Sequence, residues 1–216
     1  MKKILIIDDH PLIRKGLAMT LDSDPNLSVV SQASDAKEGL KALEEEKPDL
    51  AVVDISLPGM SGLELIKHMH AMNPEVLILV VSRHDESLYA ERAIRAGARG
   101  YVMKLEASDV IMKAVRRVLN GNIYVSEEIN ERLLMGMASG YKPLAQTPLE
   151  VLSDRELEVF ELTGRGLGTR DIAEQLHLSV KTVESYRARI KTKLNLSNAA
   201  ELDMHAAQWV EGEKMD

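Results

Sequence analysis

Three carboxylates, an ammonium and a hydroxyl stand out in the first half of the chain: Asp8, Asp9, Asp54, Lys104 and Ser82. Clustered carboxylates repel one another and raise each other's pKa values unless a cation joins them, and a hard divalent ion such as Mg2+ takes such oxygens in an octahedron. With that charge balanced, a carboxylate can attack phosphorus in line while a lysine neutralises the equatorial oxygens of the transferring group. Asp54 stands alone and is the candidate nucleophile, Lys104 the candidate ammonium, and Ser82 a hydroxyl donor to a phosphoryl oxygen. A second chemistry lies near the C-terminus. Residues 181–193 hold five basic side chains, Lys181, Arg187, Arg189, Lys191 and Lys193, against the single acid Glu184, a local charge of about +4. Such a patch suits phosphate contacts on a nucleic acid.

The pocket chemistry requires that distant residues converge. Short runs rich in Val and Ile at 3–7, 27–33, 50–53, 76–81 and 100–103 read as strands. Between and after them, 11–21, 35–46, 62–72, 86–96 and 108–119 carry apolar residues at helical spacing. Strands apolar on both faces and separated by helices imply a parallel sheet covered on both sides, a doubly wound, flavodoxin-like α/β fold. Polar sites in such sheets gather at the carboxyl ends of the strands. Asp8 and Asp9 follow the first strand, Asp54 the third and Lys104 the fifth, while Ser82 closes the fourth.

This first domain spans 1–121. Residues 122–148 read as a linker with a helix at 126–137, in which Leu133, Leu134, Met135 and Met137 serve packing, followed by a looser stretch rich in turn formers. From 149 to 216 the chain reads as a second, all-α domain of four helices, at 153–163, 169–177, 180–194 and 198–210. Ser153 and Glu156 have capping-box spacing, Ser179 stands where the third helix needs its cap, and the break at Leu178-Ser179 gives a helix-turn-helix. In that third helix Val180, Val183, Ile190 and Leu194 form the expected inward stripe, with Lys181, Ser185, Ala188, Arg189 and Thr192 opposite. The glycines of Thr163-Gly-Arg-Gly-Leu-Gly168 follow a helix rather than a strand and lack dinucleotide-loop spacing.

Two sets of motifs carry a resemblance. Asp54-Ile-Ser-Leu-Pro-Gly-Met-Ser-Gly62 and Gly97-Ala-Arg-Gly-Tyr-Val-Met-Lys104 resemble the phosphoacceptor loop and last strand of response-regulator receiver domains. Leu152-Ser-Asp-Arg-Glu-Leu-Glu-Val159, Asp171-Ile-Ala173, Lys181-Thr-Val-Glu-Ser-Tyr-Arg-Ala-Arg-Ile190 and Lys193-Leu194 resemble the LuxR-type helix-turn-helix. Together they are similar to two-component response regulators of the NarL/FixJ family. The resemblance implies that Asp54 accepts a phosphoryl group and that Asp9, Asp54 and the Ser56 carbonyl hold Mg2+, with Asp8 assisting through water. It implies that Lys104 binds the phosphoryl oxygens and that Ser82 and Tyr101 form a switch, the hydroxyl moving toward the phosphoryl group as the ring turns inward. It also implies a recognition helix at 180–194, with DNA contacts among Thr169, Lys181, Thr182, Glu184, Ser185, Arg187, Ala188, Arg189 and Lys191.

Some positions depart from the family pattern. Ser82 stands where Thr is frequent, and Arg83 is bulkier than usual beside it, which would shield a phosphoryl group from water. Gly168 replaces the usual Ser or Asn at the opening of the scaffold helix, leaving Thr169 as the expected cap. Glu184 occupies a position often held by Lys and would accept from cytosine or orient Arg187.

Composition narrows the classes. The net charge of −7 argues against bulk attraction to nucleic acid, so DNA binding must come from the local patch. There is no cysteine, hence no disulfide, thiolate metal site or cysteine nucleophile. The apolar run at 4–7 stops at Asp8-Asp9, too short for a signal-peptide core, and no segment approaches a membrane span, so a soluble cytoplasmic protein is expected. The expected partners are promoter DNA, a cognate sensor histidine kinase and, when phosphorylated, a second copy of the chain. No turnover of an outside substrate is expected, only self-phosphorylation and autodephosphorylation at Asp54. The enzyme alternative, an aspartyl-phosphate phosphatase or mutase, is disfavoured by Ser56, since such enzymes carry a second Asp there. A regulator that works without phosphorylation is disfavoured by the complete pocket set.

Overall fold

The structure, a computed structural model, describes residues 1–138 and 148–212, and divides the chain into two compact units, Met1–Lys142 and Pro143–Asp216. In the first, the strands are β1 (Lys2–Ile7), β2 (Leu27–Ala33), β3 (Leu50–Val53), β4 (Leu77–Ser82) and β5 (Gly100–Met103). All pair parallel, in the order β2-β1-β3-β4-β5. The helices are α1 (Pro11–Asp22), α2 (Ala36–Glu46), α3 (Gly62–Met72), α4 (Glu86–Ala96) and α5 (Ser108–Leu119). Ile4 to Ile7 are fully buried, as is β3, because helices cover both faces of the sheet. On one face Leu17 and Leu21 of α1 and Ile111, Val115 and Val118 of α5 share a core with Ile4, Ile6, Leu50, Val52, Leu79 and Val81. This is the doubly wound α/β architecture expected from the strand and helix spacing.

Boundaries differ from the sequence reading where a side chain caps or a ladder continues. Asp35 lies outside α2 and caps it, its carboxylate accepting from Glu38 N–H. The fourth strand runs one residue further, because Ser82 pairs with Met103. The stretch from 122 to 138, expected to begin a linker, is instead tied to this first unit. Tyr124 pairs with Gly100 at the edge of β5, and Tyr101 N–H donates to the Tyr124 carbonyl at 2.9 Å. Helix α6 (Glu127–Ala138) follows, with Ile129 buried and Arg132 donating to the Ser87 carbonyl of α4 at 3.0 Å. The looser linker expected beyond it falls, for 139–147, outside the described residues.

The second unit holds α7 (Asp154–Gly164), α8 (Thr169–Gln175), α9 (Val180–Lys193) and α10 (Ala199–Gly212). Ser153 and Glu156 form the expected capping box: the Ser153 hydroxyl accepts from Glu156 N–H, and the Glu156 carboxylate from Ser153 N–H at 2.7 Å. Leu157, Phe160, Ile172, Ala173, Val183, Ile190, Leu202 and Ala206 are buried. Gly164 is required by close approach, since a Cβ there would stand 2.2 Å from the Ala206 carbonyl oxygen of α10. A left-handed His177 and the capping hydroxyl of Ser179 make the turn between α8 and α9. Among the described residues, no helix is long and apolar enough to cross a membrane.

Candidate functional site

Sheet register assembles the first site. Ile7 lies opposite Val53, so Asp8 and Asp54 leave adjacent strands at one level, and Asp54 N–H extends that ladder to the Ile7 carbonyl at 2.8 Å. On the other side Lys104 N–H donates to the Ser82 carbonyl at 2.7 Å. The Lys104 ammonium then reaches Asp8 Oδ2 and Asp54 Oδ2, each at 2.7 Å, and all three side chains are only 2% exposed. Burial pushes the Asp54 carboxyl above the usual carboxylate range; the Lys104 charge pulls it back and the Asp8 charge raises it further. Asp54 Oδ1 is buried with no hydrogen-bond partner among the described residues. Ligand atoms of Asp8, Asp9, His10 and Asp54 all lie within 4.8 Å of one another. Carboxylates gathered this closely, one with an unspent buried lone pair, fit the oxygen donors that Mg2+ requires.

The loop after β3 is held tightly. Ser61 caps α3, and Gly62 N–H donates to the Ile55 carbonyl at 2.8 Å. A Cβ on Gly62 would stand 2.1 Å from the Asp54 carbonyl oxygen, so only glycine lets α3 start this close to the acidic residue. Ser82 is fully buried and its hydroxyl accepts from His84 N–H at 3.3 Å. Tyr101, expected to turn inward as part of a switch, lies inward in this structure: it is 1% exposed and donates to the His84 carbonyl at 2.8 Å.

Two histidines enter the pocket without having been singled out in the sequence. His84 is buried, with Nε2 2.7 Å from the Ser56 hydroxyl and its ring 4.4 Å from that of Tyr89. His10 carries Nδ1 2.5 Å from Asp9 Oδ1, and its Nε2 meets Arg83 Nη2 at 3.2 Å. Adjacency was the available signal, His10 following Asp9 and His84 standing two residues after Ser82.

In the second unit α9 presents Lys181, Glu184, Ser185, Ala188, Arg189 and Thr192 to solvent, with Thr182 and Lys191 half-buried. Val183 and Ile190 are buried as expected, but Val180 is 42% exposed, so it does not belong to the inward stripe. Arg187 is not on the outward face either. Its guanidinium donates to Thr163 Oγ1 at 2.9 Å and Asp203 Oδ1 at 2.5 Å, joining α9 to α7 and α10 with a side chain 15% exposed. The charge count put Arg187 in the basic patch and the resemblance put it among the DNA contacts; two acceptors on neighbouring helices turn it inward. Lys193 pairs with Glu156 at 2.6 Å. Burial would raise the Glu156 carboxyl, but Lys193 and the Ser153 N–H hold it below the usual carboxylate range. The cap of α8 is Gly168 rather than Thr169, whose side chain is half-buried at the first helical position; the Asp171 carboxylate accepts from Gly168 N–H at 3.3 Å.

Both halves of the chain match known families. Residues 4–116 match the response regulator receiver domain family, and residues 150–206 the bacterial regulatory proteins of the luxR family. The chain is 39% identical over 199 residues to the transcriptional activator protein ExaE of Pseudomonas putida, covering 92% of each. It is 36% identical over 208 residues to the oxygen regulatory protein NreC of Staphylococcus haemolyticus, covering 94% of this chain and 96% of that one. Among solved structures, RcsB of Salmonella enterica serovar Typhimurium, bound to the rprA promoter in the presence of phosphomimetic BeF3−, superposes with a TM-score of 0.64 at 25% identity, over 95% of this chain and 98% of that one. A LuxR-family response regulator from Aurantimonas gives 0.59 at 31% identity, over 64% of this chain and 99% of its own. With both halves matched in order and full-length relatives on either side, the chain belongs to the two-component response regulators that join a receiver domain to a LuxR-type DNA-binding domain and regulate transcription.

Proposed function

We propose that this regulator is switched by phosphoryl transfer from a sensor histidine kinase to Asp54. The supporting observation is the buried Asp8–Lys104–Asp54 group, in which one Asp54 oxygen is held by the ammonium and the other is unspent. Asp54 Oδ1 attacks phosphorus, the bond between phosphorus and the kinase histidine nitrogen breaks, and Lys104 neutralises the oxygens of the transferred group. Asp9, Asp54 and the Ser56 carbonyl would hold Mg2+, with Asp8 through water; the ion would supply charge neutralisation on the phosphoryl oxygens. Ser82 then leaves His84 N–H to donate to a phosphoryl oxygen, and that movement alters the surface near α4 and β5 while Tyr101 keeps its inward position.

The receiver is assigned to 1–121 and the DNA-reading unit to 149–216, working in the cytoplasm. The phosphorylated chain dimerises and places two copies of α9 in successive major grooves of promoter DNA. RcsB, bound to a promoter in the presence of a phosphoryl mimic, supports the link between phosphorylation and DNA binding. Lys181, Arg189 and Lys191 supply phosphate contacts, while Thr182, Glu184, Ser185 and Ala188 face base edges and Thr169 lies at the backbone. Incubation with a small phosphodonor and Mg2+ is expected to add about 80 Da to the wild type and nothing to Asp54→Asn. Mass spectrometry decides it: a wild type that gains no mass removes the switch. Arg83 is exposed at the pocket mouth, bonded to His10. Arg83→Ala is expected to lose the phosphoryl group faster by admitting water, and an unchanged or slower decay would show that Arg83 is no shield.

A further inference from the structure

His10 takes no part in the phosphoryl transfer itself, yet its backbone and its ring are both held. The His10 N–H donates to Asp8 Oδ1 at 2.8 Å, Pro11 opens α1 directly after it, and the His10 carbonyl accepts from Arg14 N–H at 3.0 Å. At the ring, Nδ1 faces Asp9 Oδ1 at 2.5 Å as donor to acceptor. That leaves Nε2 as the acceptor of the neutral imidazole, and it receives the Arg83 guanidinium at 3.2 Å. Strand order says where this chain of contacts lies. β3 runs between β1 and β4, with Ile7, Val53 and Val80 abreast. Asp54 is one residue beyond Val53, whereas His10 and Arg83 each stand three residues beyond Ile7 and Val80. A bond between them therefore crosses the end of β3 on the outer side of Asp54.

We propose that His10 is a positioning residue: anchored on Asp9, it straps Arg83 across the pocket mouth and so slows the attack of water on phosphorylated Asp54. The inference rests on reading Asp54 as the phosphoacceptor and Arg83 as its shield. Arg83 is exposed, and an exposed arginine with no anchor spreads over many rotamers and into solvent, where it covers nothing. The half-buried imidazole removes that freedom, because its own orientation is fixed at Nδ1. In the reaction being slowed, a water oxygen bonds to phosphorus and the bond from phosphorus to the Asp54 oxygen breaks. The water gives up a proton, inorganic phosphate leaves and the carboxylate is restored. A strap over the mouth acts on the first of these events, the approach of water.

The test uses the full-length chain, phosphorylated with phosphoramidate, freed of donor and followed by mass as the phosphoryl group is lost at saturating Mg2+. His10→Ala is expected to decay about two to ten times faster than wild type, the factor one hydrogen bond confers, and to match Arg83→Ala. The double variant is expected to decay no faster than Arg83→Ala alone, because both changes cut the same strap. His10→Gln, whose amide oxygen offers Arg83 an acceptor, is expected to decay more slowly than His10→Ala. A wild-type rate in His10→Ala, effects that multiply in the double variant, or a His10→Gln as fast as His10→Ala overturns the strap and leaves Asp54 standing as phosphoacceptor. An unchanged Arg83→Ala removes the shield and the strap with it. A wild type that takes up no phosphoryl group overturns the switch, and the role of His10 falls too.

Discussion

Lys104→Met is expected to cost the first unit about 3–5 kcal/mol, because it strands two buried carboxylates that share one ammonium. Lys104 Nζ lies 2.7 Å from both Asp8 and Asp54, and none of the three side chains is more than 2% exposed. Asp54→Asn is expected to act in the opposite direction, since it removes one of the repelling charges and keeps the lysine paired. The sign of the pH dependence follows from the raised Asp54 carboxyl. The folded chain holds that proton more tightly than the unfolded one. Its contribution therefore favours folding below the unfolded carboxyl range and is lost as pH rises through the folded value. Asp54→Asn escapes this loss, so its advantage over wild type is greatest near neutral pH and shrinks in acid, whereas Lys104→Met worsens as pH rises. Urea denaturation in EDTA at pH 5 and pH 7 checks both signs. Equal midpoints for wild type and Lys104→Met at both pH values would show that the ammonium does not balance the pocket.

On α9, two arginines two residues apart are expected to fail in different ways. Arg189 is exposed and Arg187 is spent on Thr163 and Asp203. Arg189→Ala is expected to leave the melting temperature unchanged, weaken DNA binding across sequences and lower the salt slope by about 1, the share of a single phosphate neutralised by one arginine. Arg187→Ala removes the link from α9 to α7 and α10 and leaves the buried Thr163 hydroxyl without its donor, while the exposed Asp203 carboxylate turns to water. It is expected to destabilise the second unit by about 1–3 kcal/mol, with DNA affinity falling through loss of folded protein. Thermal melts paired with binding at several salt concentrations separate the two. If Arg187→Ala melts like wild type and its salt slope falls as that of Arg189→Ala does, the inward geometry does not persist in solution.

Much of this was legible in the residues themselves. The strands could be found because each is a short run rich in apolar residues, unbroken in the central β3, which is buried on both faces, and mixed with Ser and Gln in the edge strand β2. Once the strands were ordered, the rule that polar groups collect at their carboxyl ends was enough to bring Asp8, Asp54, Ser82 and Lys104 to one edge, since those groups lie one residue past, or at the end of, paired strands. The capping box at Ser153 was equally local, because it joins residues three apart.

What remained hidden depends on neighbours distant in sequence. Periodicity assigns a side chain to one stripe of a helix, but packing sets how that stripe is turned against other helices. Val180 thus became exposed while Arg187, chemically an outward residue, found Thr163 and Asp203. The same holds for His10 and His84, ordinary in sequence and placed among carboxylates or against Ser56 only by strand ends meeting. So too for α6, whose attachment to the first unit rests on Tyr124 finding the free edge of β5 and Arg132 a carbonyl of α4. Composition and spacing determine which elements form and which chemistry they can carry. Only long-range packing decides which charged side chains are spent holding helices together and which are left to bind.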